Sequence, residues 1–183
     1  MGSEKKRIFI ALLFSDEFKN QVAEAILPMQ KQFSNFRWSS ENKWHLTILP
    51  PHYWDEQEIK TVVDSLSQKL RFKKFRLESE KFVLGPLGRD KRMVWLRFEN
   101  SGEFSDLKRQ VSGIITGGGL AIDDFRQKEL IHLTLARLKD VDHSGFREKS
   151  FNSSILCSSI EAWQVFLNPD GAVYQVVARF ELE

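Results

Sequence analysis

The sequence predicts an α+β fold with antiparallel sheet, arranged as a pseudo-symmetric duplication. Three observations carry that expectation. Short β-prone runs are joined by hairpin-type turns, and amphipathic helical stretches fall among them with little regular strand–helix–strand alternation. One strand motif then recurs at close to half the chain length. The 183 residues suit one domain, 1–183, made of two intertwined lobes.

The elements follow in order. Arg7–Leu13 is apolar and reads as a buried strand. Ser15 offers a helix cap, and Phe18, Val22, Ala25, Ile26, Met29 and Phe33 follow at helical spacing. Pro28 inside that stretch predicts a kink or an end near Leu27. Phe36–Trp38 and Lys43–Leu49 read as short strands around a polar turn, with Pro50-Pro51 closing the second. Asp55 with Glu58 has the form of a capping box, and Ile59, Val62, Val63, Leu66 and Leu70 mark one face of a second helix. Phe75–Leu84 and Arg92–Phe98 are strands around a loop at 85–91. Phe104, Leu107, Val111 and Ile114 face inward on a third helix, which Gly117-Gly118-Gly119 stops. Strands are expected at Leu130–Leu135, Ile160–Leu167 and Val173–Leu182, with a short helix at Ser144–Phe151. Asn168-Pro169-Asp170-Gly171 forms the turn between the last two strands.

Composition bounds the function. Lys+Arg 27 against Asp+Glu 25 leaves +2, so no strong overall field announces nucleic acid or membrane, and any basic surface must be local. The single Cys157 excludes a disulfide scaffold and fits a reducing compartment. The longest early apolar run, Ile8–Phe14, is too short to span a bilayer. A monomeric, cytoplasmic protein with no membrane partner is expected.

The repeat carries the chemistry. Trp44-His45-Leu46-Thr47-Ile48-Leu49 and Ile131-His132-Leu133-Thr134-Leu135-Ala136 are near copies. Side chains alternate along a strand, so His45 and Thr47 share one face while Trp44, Leu46 and Ile48 take the other. His132 and Thr134 behave alike against Ile131, Leu133 and Leu135. A lone histidine on a strand is usually just solvated, but two of the four histidines sit in matching triplets. Imidazole titrates near neutrality, so one ring can accept a proton while the other donates one. Hydrolysis of a phosphodiester needs that pair, and hydroxyls on the same face can steady the phosphate oxygens. Arg137 extends the second copy, although its odd spacing from His132 demands a twist or a strand end to bring it inward.

With Arg7–Ala11, Phe36–Trp38, Met93–Leu96, Asn168–Gly171, Tyr174 and Phe180 as flanks, the two motifs resemble those of the 2H phosphoesterase superfamily. The match looks closest to its RNA 2′,3′-cyclic phosphodiesterases, once named 2′-5′ RNA ligases. The resemblance implies two antiparallel sheets forming a V-shaped cleft with helices packed outside. It also implies hydrolysis of a terminal RNA 2′,3′-cyclic phosphate to a 2′-phosphate, with His45 as proton donor and His132 as the group that activates water. The residues alone leave those two roles interchangeable.

Other features are weaker. Arg89, Lys91 and Arg92 are candidates to hold an RNA backbone at the cleft mouth, and Trp38, Tyr53, Trp54 and Phe82 to stack on a base. Arg71, Lys73, Lys74 and Arg76 read as a polar face. His52 and His143 fall in expected loops. No metal or cofactor is called for, since the histidines lack ligand spacing and both triplets lack carboxylates. Alternatives left open are small cyclic nucleotides, 2′-5′ oligonucleotides or ADP-ribose cyclic phosphate as substrate, and a non-catalytic RNA-end binder.

Overall fold

The computed structural model describes residues 4–86, 88, 90–122, 130–138, 142–169 and 171–183. Ten strands and three α-helices are described: β1 (Lys6–Leu12), α1 (Asp16–Gln32), β2 (Arg37–Trp38), β3 (Leu46–Trp54), α2 (Glu56–Lys69), β4 (Phe75–Gly85), β5 (Met93–Phe98), α3 (Gly102–Gly117), β6 (His132–Arg137), β7 (Lys149–Ser150), β8 (Ser154–Cys157), β9 (Ser159–Asn168) and β10 (Gly171–Glu181). They form two sheets, ordered β10-β9-β1-β3 and β2-β6-β5-β4-β7, with β8 pairing the start of β4. The pairings are antiparallel.

The duplication is visible in the connections. β1–α1–β3 and β5–α3–β6 are both a strand, a helix and a return strand paired antiparallel to the first. Each pair gains its next neighbour from the other half of the chain, β9 beside β1 and β4 beside β5. One apolar core joins the sheets to the helices. Ile8, Ile10, Val22, Ile26, Leu46, Leu66, Leu96, Leu107, Val111 and Leu133 all belong to it.

Helix signals in the sequence act as expected. Ser15 accepts the N–H of Phe18, and Asp55 with Glu58 makes both bonds of a capping box; Ser101, not singled out from the sequence, caps α3 by accepting the N–H of Phe104. Ile115 takes the buried place on α3 while Ile114 is only partly covered.

Four expectations need correction. α1 continues through Pro28 to Gln32, because Pro28 is exposed while Met29 and Phe33 carry the buried stripe onward. Their packing outweighs the missing backbone bond and ring clash, about 3 kcal/mol in a helix interior. Pro50-Pro51 does not close β3, which runs on to Trp54. β3 is last in its sheet order, and the ladder slips between Ile8 and Ile10 opposite the prolines, so few donors are missed there. His52 is therefore no loop residue: it is buried in β3, its Nδ1 2.7 Å from the Pro50 carbonyl and its ring stacked on Trp54. Finally, Ser144–Phe151 is not a helix but a turn leading into β7, which pairs with β4. Arg89 and Asp170 lie outside the described residues.

Candidate active site

The two histidine motifs open onto one cavity of about 530 Å³ that is walled by both sheets. Thr47 comes from the start of β3 and His45 from the residue just before it, where residues 41–43 form a 3-10 turn rather than the first part of the expected strand, and His132 and Thr134 come from β6. The apolar halves of both motifs are buried as alternation requires: Trp44, Leu46 and Ile48 on one side, Ile131, Leu133 and Leu135 on the other. The indole of Trp44 also donates to the Ser39 carbonyl at 3.2 Å, tying down the turn that leads into His45.

Both imidazoles are held the same way. His45 Nδ1 lies 2.7 Å from the Lys43 carbonyl and His132 Nδ1 lies 2.7 Å from the Leu130 carbonyl. A carbonyl only accepts, so Nδ1 carries the hydrogen and Nε2 is the nitrogen that can exchange a proton with a substrate. His52 makes the same local bond on the core side, so the bond orients a ring without itself marking chemistry.

Their surroundings differ. His45 sits among Phe9, Trp163 and Tyr174, with ring centroids 4.9, 5.4 and 5.8 Å away. His132 lies flat on Trp95, 3.9 Å between centroids and 22° between planes. Burial pulls the His45 pKa below the ordinary imidazole value; the Lys43 carbonyl pulls it back up, and repulsion from His132 lowers it again. The sign for folding follows. The unfolded chain takes up a proton near pH 6.5, whereas the folded chain resists it until lower pH. Wild type should thus lose stability relative to His45→Gln as pH falls from about 6.5, levelling off once the folded ring is protonated. Denaturant unfolding of both proteins at stepped pH checks this; a difference independent of pH would overturn it.

Arg137 reaches the same cavity, and the strand ladder explains how. Val94 pairs with Ala136 and Trp95 with Thr134, so Leu135 is an extra residue in β6. Such a bulge shifts the alternation by one, burying Leu135 and Ala136 in succession and returning Arg137 to the face of His132. β3 repeats the device: Ala11 pairs with Thr47 and Ile10 with Leu49, and Ile48 and Leu49 are both buried. Trp38 lines the cavity too, with its indole donating to the Phe33 carbonyl at 3.0 Å.

The other candidates part company. Arg92 opens onto a neighbouring cavity together with Arg37 and Arg137. Phe82 and Trp54 are buried in the core, and Tyr53 is exposed away from the cavity lining, so none of the three can stack on a ligand there. Arg7, Phe9, Arg37, Lys43 and Tyr174 line the cavity without having been singled out for it. Their signal was the phase of the strand: Arg7 and Phe9 alternate with the buried Ile8 and Ile10. Arg137 and Arg7 both bear electrostatically on the Tyr174 hydroxyl, whose pKa is nevertheless raised, chiefly by burial. Cys157 takes no part; it is buried and its thiol is pushed up to about 12. Among the described residues, no group of three His, Cys, Asp or Glu gathers to hold a metal, and no helix is long and apolar enough to cross a membrane.

Comparison with known proteins finds similar sequences and folds. The family model of LigT-like phosphoesterases matches residues 17–95, a stretch that includes the first histidine motif. Among solved structures, TT0787 of Thermus thermophilus is 21% identical with a TM-score of 0.81, over 96% of this chain and 97% of that one. LigT of E. coli in apo form is 17% identical with a TM-score of 0.72, over 98% and 99%. The same protein complexed with 3′-AMP is 18% identical with a TM-score of 0.74, over 98% and 99%. The chain thus resembles LigT-like phosphoesterases in sequence over residues 17–95, and it shares the fold of TT0787 and E. coli LigT along nearly its whole length.

Proposed function

We propose that the chain hydrolyses the terminal 2′,3′-cyclic phosphate of RNA to a 2′-phosphate, using His45 and His132 as acid and base. The observation that supports this most is the matched pair of rings: each has Nδ1 held by the carbonyl two residues earlier, and both open onto one cavity with a threonine beside them.

Water gives a proton to His132 Nε2 as its oxygen attacks phosphorus. The bond from phosphorus to the 3′ oxygen breaks, and His45 Nε2 gives its proton to that oxygen. The products are a 2′-phosphate and a 3′-hydroxyl, with His132 protonated and His45 neutral until solvent exchange resets them. Thr47, Thr134 and Arg137 face the non-bridging oxygens, where charge gathers in the transition state. His45 is held below the ordinary imidazole range in the free protein, and a bound phosphate anion raises it toward the protonated form the acid role requires. Trp38 offers a ring for the terminal base. A fold of this kind binding 3′-AMP, as E. coli LigT does, is compatible with a nucleotide in the cleft.

The test is a product assay on a short RNA ending in 2′,3′-cyclic phosphate, with EDTA present. A new 2′-phosphate end is the expected result. A 3′-phosphate would reverse the bond that breaks and overturn the regiochemistry; binding without turnover would leave an RNA-end binder.

A further inference from the structure

Beside the histidine cavity lies a second one of about 790 Å³, whose lining includes Asn35, Arg37, Arg92, Arg137 and Pro169. Arg37 and Arg137 border both cavities. Three neighbouring strands deliver the cations. Arg37 sits opposite Arg137 across β2 and β6, and Arg137 sits opposite Met93 across β6 and β5. Arg92 is the residue before Met93, and its carbonyl accepts the Leu138 N–H at 2.8 Å.

Like charges placed directly opposite on paired strands weaken a sheet. Among the described residues, none of the three arginines is paired with a carboxylate that would offset the repulsion. An anion between the guanidiniums would offset it, because their planar forks match phosphate oxygens. The remaining wall is partly apolar, with Pro86, Leu138 and Pro169, which suits a sugar or base better than a small inorganic ion.

We propose that this second cavity holds the phosphodiester and sugar of the nucleotide preceding the cyclic end. The substrate is then a single-stranded RNA terminus rather than a free cyclic nucleotide. The inference rests on the two-histidine reading, which places the cyclic phosphate in the first cavity. An RNA chain can leave that cavity only from the 5′ oxygen of its last sugar, and the two shared arginines lie along the border it would cross. Contacts of this kind position a chain without reading its bases, so little base preference is expected at the penultimate nucleotide.

The experiment compares turnover of a short RNA ending in 2′,3′-cyclic phosphate with that of a 2′,3′-cyclic nucleoside monophosphate, with and without a 5′-phosphate. Wild type and Arg92→Ala are both assayed. Fluorescence anisotropy of 5′-labelled RNA between about 50 and 200 mM salt gives a readout independent of chemistry. Wild type should favour the RNA by about tenfold or more in kcat/KM, and Arg92→Ala should remove most of that preference. The slope of log affinity against log salt should become shallower by roughly 0.7, one phosphate contact on a single strand. Equal kcat/KM on RNA and mononucleotide, or an unchanged salt slope, would overturn the inference while leaving the two-histidine reading intact. A 5′-phosphorylated mononucleotide that matched the RNA would confine the cavity to one phosphate and overturn the chain assignment. Should no substrate turn over, the two-histidine reading fails, and the salt slope still decides the arginine cavity.

Discussion

His132→Ala is expected to lower kcat/KM for a cyclic-phosphate end by about 10²–10⁴-fold, and His45→Ala by a similar factor. In the proposed reaction each ring supplies one of two proton transfers, and neither has a second imidazole in the cavity to replace it, since His52 faces the core side of β3. Folding should survive. His132 lies on Trp95 at the cavity wall, and His45 belongs to the small aromatic group of Phe9, Trp163 and Tyr174 rather than to the main core. The pH profile separates a chemical role from a structural one. Wild type should give a bell with two apparent values that belong to the pair, because the rings repel each other when both are charged. Each single variant should lose one limb of the bell. Near-normal turnover in both variants would remove the mechanism, and a uniform fall with an unchanged bell would reduce the rings to scaffolding.

The parts of this site that were legible from sequence are those governed by short-range alternation. His45 and Thr47, like His132 and Thr134, lie two residues apart on strands whose other face is apolar, and that pattern suffices to aim them. Arg137 was legible as a residue but not as a direction. Its phase depends on the extra Leu135, and a bulge is set by pairing with Val94 and Trp95, which no local pattern reports. The continuation of β3 through Pro50-Pro51 was hidden for a related reason: proline is tolerated according to a strand's place in the sheet, and the place of β3 is fixed by β1. Likewise the convergence of Arg37, Arg92 and Arg137 arises from three strands far apart in sequence. The caps at Ser15 and Asp55 needed none of this, because a cap is completed within three residues.

Gly85→Ala should destabilise the protein by about 1–3 kcal/mol and lower turnover by up to about 10²-fold, although Gly85 lines neither cavity. A Cβ built at Gly85 would lie 2.2 Å from Trp95 Cδ2 and 2.4 Å from Cε2 and Cε3. Gly85 pairs with Met93, so Trp95 is its diagonal neighbour two residues along on the same face of the sheet. The ring is buried and cannot retreat without pushing His132, which is stacked on it 3.9 Å away between centroids. Relieving the clash takes a movement of about 1 Å, the scale at which a misplaced catalytic group loses orders of magnitude in rate. Where a strand has room, Gly→Ala instead adds roughly 0.5–1 kcal/mol of stability, so the sign of the change is diagnostic. A lower Tm with lower kcat is the expected pair of results, and Trp95→Phe placed in the Gly85→Ala background should recover part of the stability by shrinking the ring. A Gly85→Ala protein with raised Tm and unaltered kcat would mean that Trp95 moves aside without disturbing His132. The stack would then be incidental contact rather than the support that sets the angle of the ring.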